Sequence, residues 1–294
     1  HRGRRGQRQM CIRDSSYTFD PELERAWTVS DKYATQPEIL RDLGFVADRY
    51  DLRRDIRFGT KVIAATWDEA AQRWQIATNH GATVSCRFYV MATGCLSTPK
   101  PPEIDGVKDF EGEVYFTGRW PHHDVKLAGK RVAVIGTGSS GIQSIPVIAE
   151  QADHLTVFQR TPNFALPAHH GPAPADRVSL LQADRAGYRE QARWSLAGVP
   201  SPQQTAVSWQ LSDAERRERF EQAWAAGDLV YMLTQLWADQ GVDLEGNALL
   251  AELIRDKIRA TVTDPDTAAA LSPYDHPFGA KRPCLDTNYY ATFN

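Results

Sequence analysis

Apolar positions recur at spacings of three and four after Gln36. Ile39, Leu40, Leu43, Val46, Ala47 and Tyr50 make one stripe, and Pro37 stands in a first-turn position that suits it. This pattern predicts a helix. The period then shortens. Residues 61–68 (KVIAATWD), 73–79 (RWQIATN) and 84–94 (VSCRFYVMATG) read as three strands separated by polar turns. The third becomes wholly apolar over residues 88–91 and ends in Ala92-Thr93-Gly94. A proline-rich stretch, residues 97–106 (STPKPPEIDG), reads as a linker. Residues 131–143 (RVAVIGTGSSGIQ) then give a buried parallel-type strand to Ile135, a glycine turn over 136–141 and the start of a helix running to about 152. Residues 155–160 (LTVFQR) supply the next strand. Pro146 falls inside that helix and should cost it a backbone bond or bend it. From about residue 171 to 262 the composition shifts to Arg, Glu, Gln, Ala and Trp. Within it, Leu249, Leu250, Leu253, Ile254 and Ile258 share one helical face, so the region reads as a helical insertion.

Composition narrows the class. With 294 residues and 42% hydrophobic content, the chain is long enough for one large or two ordinary domains with real cores. A net charge of -3 implies no broad basic surface, so nucleic acid is not an expected partner. No apolar run reaches the roughly 18 residues of a membrane span, and no secretory segment is evident, so no membrane partner is expected. Cys11, Cys86, Cys95 and Cys284 lie far apart, without CxxC or metal-ligand spacing. They read as reduced thiols of a cytoplasmic protein, with no metal site and no redox-active disulfide. The first fifteen residues, HRGRRGQRQMCIRDS, carry five Arg and almost nothing for a core. They read as a non-native leader, in part resembling an adapter translation, with a basic tail for an anionic partner as the other reading. Ser16 is the expected native start. The ending YYATFN, with no helix end, suggests truncation on both sides.

The glycine turn carries the first chemistry. Gly136, Gly138 and Gly141 fit G-x-G-x-x-G. The first permits a tight turn, the second lets backbone approach a pyrophosphate, and the third allows close helix–strand packing. Thr137, Ser139, Ser140 and Gln143 complete the candidate cradle, at a helix N-terminus that favours anions. A turn of purely structural purpose is the bland alternative. An NAD site would place an acidic residue about 20 positions on. Gln159, Arg160 and Thr161 stand there instead. A cation and a hydroxyl suit a 2′-phosphate, so NADPH is the expected dinucleotide, unless Arg160 is an ordinary surface arginine.

Residues 110–168 resemble the flavin-dependent Baeyer–Villiger monooxygenases, the cyclohexanone monooxygenase-like family. Their fingerprint, F-x-G-x-x-x-H-x-x-x-W-P, is matched by Phe110, Gly112, Trp120 and Pro121, just before the glycine turn. Residues 32–40 (KYATQPEIL), 278–283 (FGAKRP) and 286–294 (DTNYYATFN) resemble the family too, in its order. The resemblance covers nearly everything from Ser16 to Asn294. It departs at the fingerprint histidine, where Phe116 stands, and it includes no N-terminal glycine turn for FAD. Asp14 lies in the suspect leader and is given no role.

The resemblance implies an α/β fold with two Rossmann-like dinucleotide-binding domains: an incomplete FAD domain with linker over residues 16–124, and an NADPH domain over 125–294 carrying the insertion. It implies FAD and NADPH as cofactors, and a ketone and O2 as substrates. One oxygen atom is inserted beside the carbonyl to give an ester or lactone. Arg282 matches the family's catalytic arginine, a permanent cation for an anionic oxygen species. Lys281 matches the residue that joins Arg160 at the 2′-phosphate. Val62 would lie at the adenine side of FAD, and Thr93 and Gly94 near its pyrophosphate, with an ordinary core valine the plain alternative for Val62. The pairs His122-His123 and His169-His170 read as solvated loop residues. Two other readings stay open: a flavin monooxygenase acting on nitrogen or sulfur nucleophiles, or an inactive NADPH-binding module for the isolated chain. Oligomeric state is not legible.

Overall fold

The computed structural model describes residues 19–26, 30–94, 98, 100–172, 179, 183–195, 198 and 204–294. The expected leader and Ser16 lie outside them. The chain divides into two compact units, residues 41–121 and residues 1–40 with 122–294.

The smaller unit is built on an antiparallel sheet of β1 (Val62–Asp68), β2 (Arg73–Thr78) and β3 (Thr83–Cys86), in that order. The register pairs Trp67 with Trp74, and their rings meet edge to face at 5.5 Å. The third strand stops well short of expectation. After Cys86 the apolar run forms no ladder, and Phe88, Val90 and Met91 are 80%, 82% and 71% exposed. Apolar side chains alone do not make a strand. The backbone needs a neighbour to hydrogen-bond, and the described residues offer none there.

The larger unit begins with the short helix α1 (Pro21–Ala26) and the start of α2 (Gln36–Arg49). The α2 N-terminus is fixed by Glu38, whose carboxylate accepts from the amides and hydroxyls of both Ser30 and Thr35. Thr35-x-x-Glu38 is a capping-box spacing. The apolar stripe of α2 is only partly covered: Val46 is buried, whereas Leu40, Leu43 and Tyr50 are exposed.

The centre of this unit is a β–α–β element. β4 (Arg131–Ile135) and β5 (His154–Phe158) pair in parallel, with Arg131 opposite His154 and Ile135 opposite Phe158. α3 (Ser139–Ala149) joins them and buries Ile142 and Ile145 completely. It starts three residues earlier than the sequence predicts, because the helix begins inside the glycine motif. α3 runs through Pro146, which is buried. A second parallel pair, β6 (Ala165–Pro167) with β7 (Cys284–Asp286), sets Ala165 opposite Cys284.

Between β6 and β7 run α4 (Arg185–Arg193), α5 (Asp213–Ala226), α6 (Leu229–Thr234), α7 (Leu244–Thr261) and α8 (Pro265–Leu271). On α7, Leu250, Ile254 and Ile258 are fully buried and Leu253 is partly covered, while Leu249 is exposed. Two clusters form the core. One gathers Phe164, Phe220, Met232, Trp237, Leu250 and Ile254. The other packs Ile142 and Ile145 with Ile258, Cys284, Tyr289 and Tyr290. The α/β class expected from the sequence is the one observed. No helix among the described residues is long and apolar enough to cross a membrane.

Candidate dinucleotide site

The carboxyl ends of β4 and β5 are tied by the Gly136 amide, which donates to the Phe158 carbonyl at 2.8 Å. Gly136 takes φ +98, a left-handed conformation that side chains resist. Gly141 is required for a different reason. A Cβ there would lie 2.2 Å from the Gly136 carbonyl oxygen, so the helix packs directly on the turn. Gly138 caps α3 in extended geometry without a side-chain cap. A Cβ on it would meet nothing within 4 Å, so this face of the turn opens on free space.

The first helical bond runs from the Ile142 amide to the Gly138 carbonyl, at 2.9 Å. The amides of Ser139, Ser140 and Gly141 precede it and have no helical acceptor. With the positive end of the α3 dipole, they suit an anion. Gln143 donates to the Ser139 hydroxyl at 3.1 Å. The open face, the first-turn amides and the close Gly136–Gly141 packing are what a dinucleotide pyrophosphate requires. These residues fit the group.

The neighbouring segments converge on this turn. Buried Thr137 donates from its hydroxyl to the Thr161 carbonyl at 3.3 Å. Arg160, just beyond β5, is exposed and has no ion-pair partner among the described residues. Two residues past Thr161, Asn163 donates through Nδ2 to the Arg282 carbonyl at 3.1 Å and to the Cys284 sulfur at 3.2 Å. Burial pushes the Cys284 thiol up, opposed by hydrogen bonds from Asn163 and Ser139 and by the Arg282 charge. Ser139 of the glycine turn and Arg282 thus both act on one thiol. Lys281 and Arg282 are exposed, and Lys281 faces Asp275 at 3.6 Å.

Their loop is held from behind. Asn247 on α7, buried, accepts from the Phe278 amide at 2.8 Å and donates to its carbonyl at 2.9 Å. Gly279 supplies the left-handed turn, φ +87. The glycine turn, the end of β5 and the 278–284 loop therefore form one cluster. Asn163 and Asn247 position it without any motif spacing to mark them. The only sequence hint is that Asn163 lies three places beyond Arg160.

The candidate FAD residues lie in the other unit. Val62, at the start of β1, is 44% exposed. Thr93 and Gly94 (φ +69) lie in the exposed extended run after β3. Among the described residues of this unit, no glycine turn opens a helix onto that run. They do not make an FAD site by themselves.

The fingerprint region has its own logic. A Cβ on Gly112 would lie 2.5 Å from the Phe110 ring, so the F-x-G spacing lets that ring fold over the backbone. Tyr115 and Trp120 meet at 5.6 Å. Phe116, 36% exposed, accepts through its carbonyl from the Arg119 amide at 2.9 Å. His170 is not the solvated residue expected. Its ring packs near Tyr33 and faces Asp31 at 3.7 Å, because the chain folds back there in a bridge from Asp31 to Pro172.

Comparison with known proteins bears on the family and the fold. Residues 9–170, more than half the chain, match the pyridine nucleotide-disulphide oxidoreductase family. Cyclohexanone 1,2-monooxygenase of Acinetobacter sp is 36% identical over 281 residues, covering 95% of this chain and 51% of that protein. An oxidized steroid monooxygenase solved with NADP superposes with a TM-score of 0.91 at 46% identity, over 98% of this chain and 55% of that one. A protein crystallised as OTEMO in complex with FAD and NADP gives 0.93 at 35% identity, over 99% and 56%. The chain spans about half the length of the curated relatives it matches. It belongs to the pyridine nucleotide-disulphide oxidoreductase family, and the relatives it resembles over about half their length include Baeyer–Villiger monooxygenases.

Proposed function

We propose that this chain supplies the NADPH-binding part of an FAD- and NADPH-dependent monooxygenase of the cytoplasm, which inserts one oxygen atom from O2 beside a ketone carbonyl to give an ester or lactone. The observation that carries the reading is the convergence of three segments: the glycine turn with its open face at Gly138, the exposed Arg160, and the 278–284 loop.

In this reading the amides of Ser139, Ser140 and Gly141 take the pyrophosphate, with Gly136 and Thr137 shaping the turn and Gln143 orienting the Ser139 hydroxyl. Arg160, Thr161 and Lys281 take the 2′-phosphate. NADPH held there would supply the hydride. The Arg282 guanidinium, a rigid fork of donors, would hold a developing oxyanion. Its backbone is fixed by Asn163, which limits the freedom of the charged head. FAD would come against Val62, Thr93 and Gly94, but no step is assigned through those residues, since they do not form its site alone.

The test is product analysis on the flavin-loaded enzyme that contains this chain. A cyclic ketone should yield a lactone, and Arg282→Ala should keep NADPH binding while losing that product. Near-complete ester formation by the variant would overturn the assignment of Arg282. A thioether oxidised with no lactone from any ketone would favour an oxygenase of nitrogen or sulfur nucleophiles, a reading to which Phe116 gives some support because it places no imidazole at the fingerprint position. The isolated chain has a second reading, an NADPH-binding module without catalysis. The exposed run over residues 88–94 favours it. Purified chain that holds flavin tightly would count against that.

A further inference from the structure

Lys281 does not stand free for a 2′-phosphate. Its ammonium faces Asp275 Oδ2 at 3.6 Å, and the other carboxylate oxygen accepts from His276 Nδ1 at 2.6 Å. His276 is well buried, with 8% of its side chain exposed, and its ring stands edge-on to Phe164 at 5.5 Å. The far nitrogen, Nε2, is buried without a hydrogen-bond partner. The polar contact of the ring is thus Asp275, made through Nδ1. Asp275 is therefore aimed by a packed ring, although the carboxylate itself is 55% exposed and Lys281 46%. The Phe278–Lys281 bridge keeps the two ends of the turn together.

We propose that Asp275 is a specificity-determining counter-ion: it occupies Lys281 in the unliganded protein and must yield it to the 2′-phosphate of NADPH. The inference rests on the assignment of Lys281 to that phosphate. An exposed pair of this kind is weak, about 0.2–1 kcal/mol, which suits exchange. A phosphate bearing nearly two charges outbids a single carboxylate for the ammonium, whereas a ribose hydroxyl does not. Asp275 thus lowers affinity for both phosphorylated dinucleotides and leaves NAD+ untouched. His276 is the positioning residue that keeps the carboxylate in line.

The test is calorimetric titration of the 294-residue chain with NADP+ and NAD+, for the native protein, Asp275→Asn, Lys281→Ala and the double variant. Asp275→Asn should tighten NADP+ about two- to fivefold, the fold-change equivalent of releasing a weak exposed pair. NAD+ affinity and the melting temperature should stay unchanged. In the Lys281→Ala background the same substitution should have no effect on NADP+. Unchanged or weakened NADP+ binding in Asp275→Asn would overturn the proposal. So would a gain that persists without Lys281. Loss of both dinucleotides together with a fall in melting temperature would show a merely structural aspartate, and that also overturns it. Native protein that binds NADP+ and NAD+ equally would instead defeat the underlying 2′-phosphate assignment, so the two failures are distinguishable.

Discussion

Gly141 and Gly138 stand three residues apart in one motif and should fail in opposite ways. A methyl group at Gly141 would lie 2.2 Å from the Gly136 carbonyl oxygen and 3.1 Å from its carbon. Ordinary carbon–oxygen contacts begin above 3 Å, so either the helix or the turn has to move. Alanine gains about 1 kcal/mol over glycine inside a helix. Overpacking against backbone, which cannot rotate away, costs about 1–3 kcal/mol and sometimes more. The net expectation for Gly141→Ala is a loss of stability, read as a fall in melting temperature of about 2–4 °C per kcal/mol in a chain of this size.

At Gly138 the same methyl meets nothing within 4 Å, and φ -77 with ψ -178 is open to any residue. Gly138→Ala should therefore melt within a degree or two of the native chain. Its methyl enters the space a pyrophosphate would use, and NADP+ affinity should fall at least about tenfold, the equivalent of 1.4 kcal/mol. Thermal melts with and without NADP+, beside a direct titration, read both effects. The reasoning is refuted if Gly141→Ala melts like the native chain, or if Gly138→Ala binds NADP+ normally.

Arg160→Ala should weaken NADP+ by about 10- to 100-fold, the worth of one charge-assisted hydrogen bond, and leave NAD+ unchanged in the same titration. On α7, Ile254→Ala should cost about 2–5 kcal/mol in denaturant unfolding, because Ile254 is fully buried in the core. Leu249→Ala, on the exposed side of the same helix, should stay within about 0.5 kcal/mol. Glu38 gives a pH signature. Burial pushes its carboxyl up, but the amides and hydroxyls of Thr35 and Ser30 outweigh burial and hold it at about 2, below the ordinary 4.5. Its folded pKa is depressed, so its contribution is present above 4.5 and is lost as pH falls from there towards 2. Acid melts of Glu38→Gln should show a shallower decline over that window than the native chain.

The β4–α3–β5 element was legible because three independent signals coincide there: an apolar strand, a spaced glycine set and a second strand at the right distance. The α7 stripe was legible for a similar reason, since Leu250, Ile254 and Ile258 recur at helical spacing and are buried as the pattern demands. The run after Cys86 was not. Its apolar character says that it prefers to be covered, but a strand exists only where a second backbone completes its hydrogen bonds. The extent of α2's buried face was misjudged on the same ground, since a stripe such as Leu40 and Leu43 marks what can be buried and leaves open what covers it.

Within the candidate site, Arg160 is legible because a cation beyond the second strand suits a phosphate, whereas Lys281 enters only through the family resemblance. Asn163, Asn247 and Asp275 were missed. Each acts across more than 100 residues or through a loop turn, by a hydrogen bond or an ion pair that no local spacing encodes. The exception is Asn247, which clamps Phe278 only 31 residues on, and is equally silent in the sequence. Amide contacts of this kind report on the fold, and become visible only once the segments they join are brought together.

The most direct test of the account is the pair of dissociation constants for NADP+ and NAD+ measured on this chain. The convergence of the Gly138 face, Arg160 and Lys281 predicts that NADP+ binds at least about tenfold more tightly, since one charge-assisted contact to the 2′-phosphate already supplies about 1.5 kcal/mol. Equal affinities, or binding of neither, would contradict it.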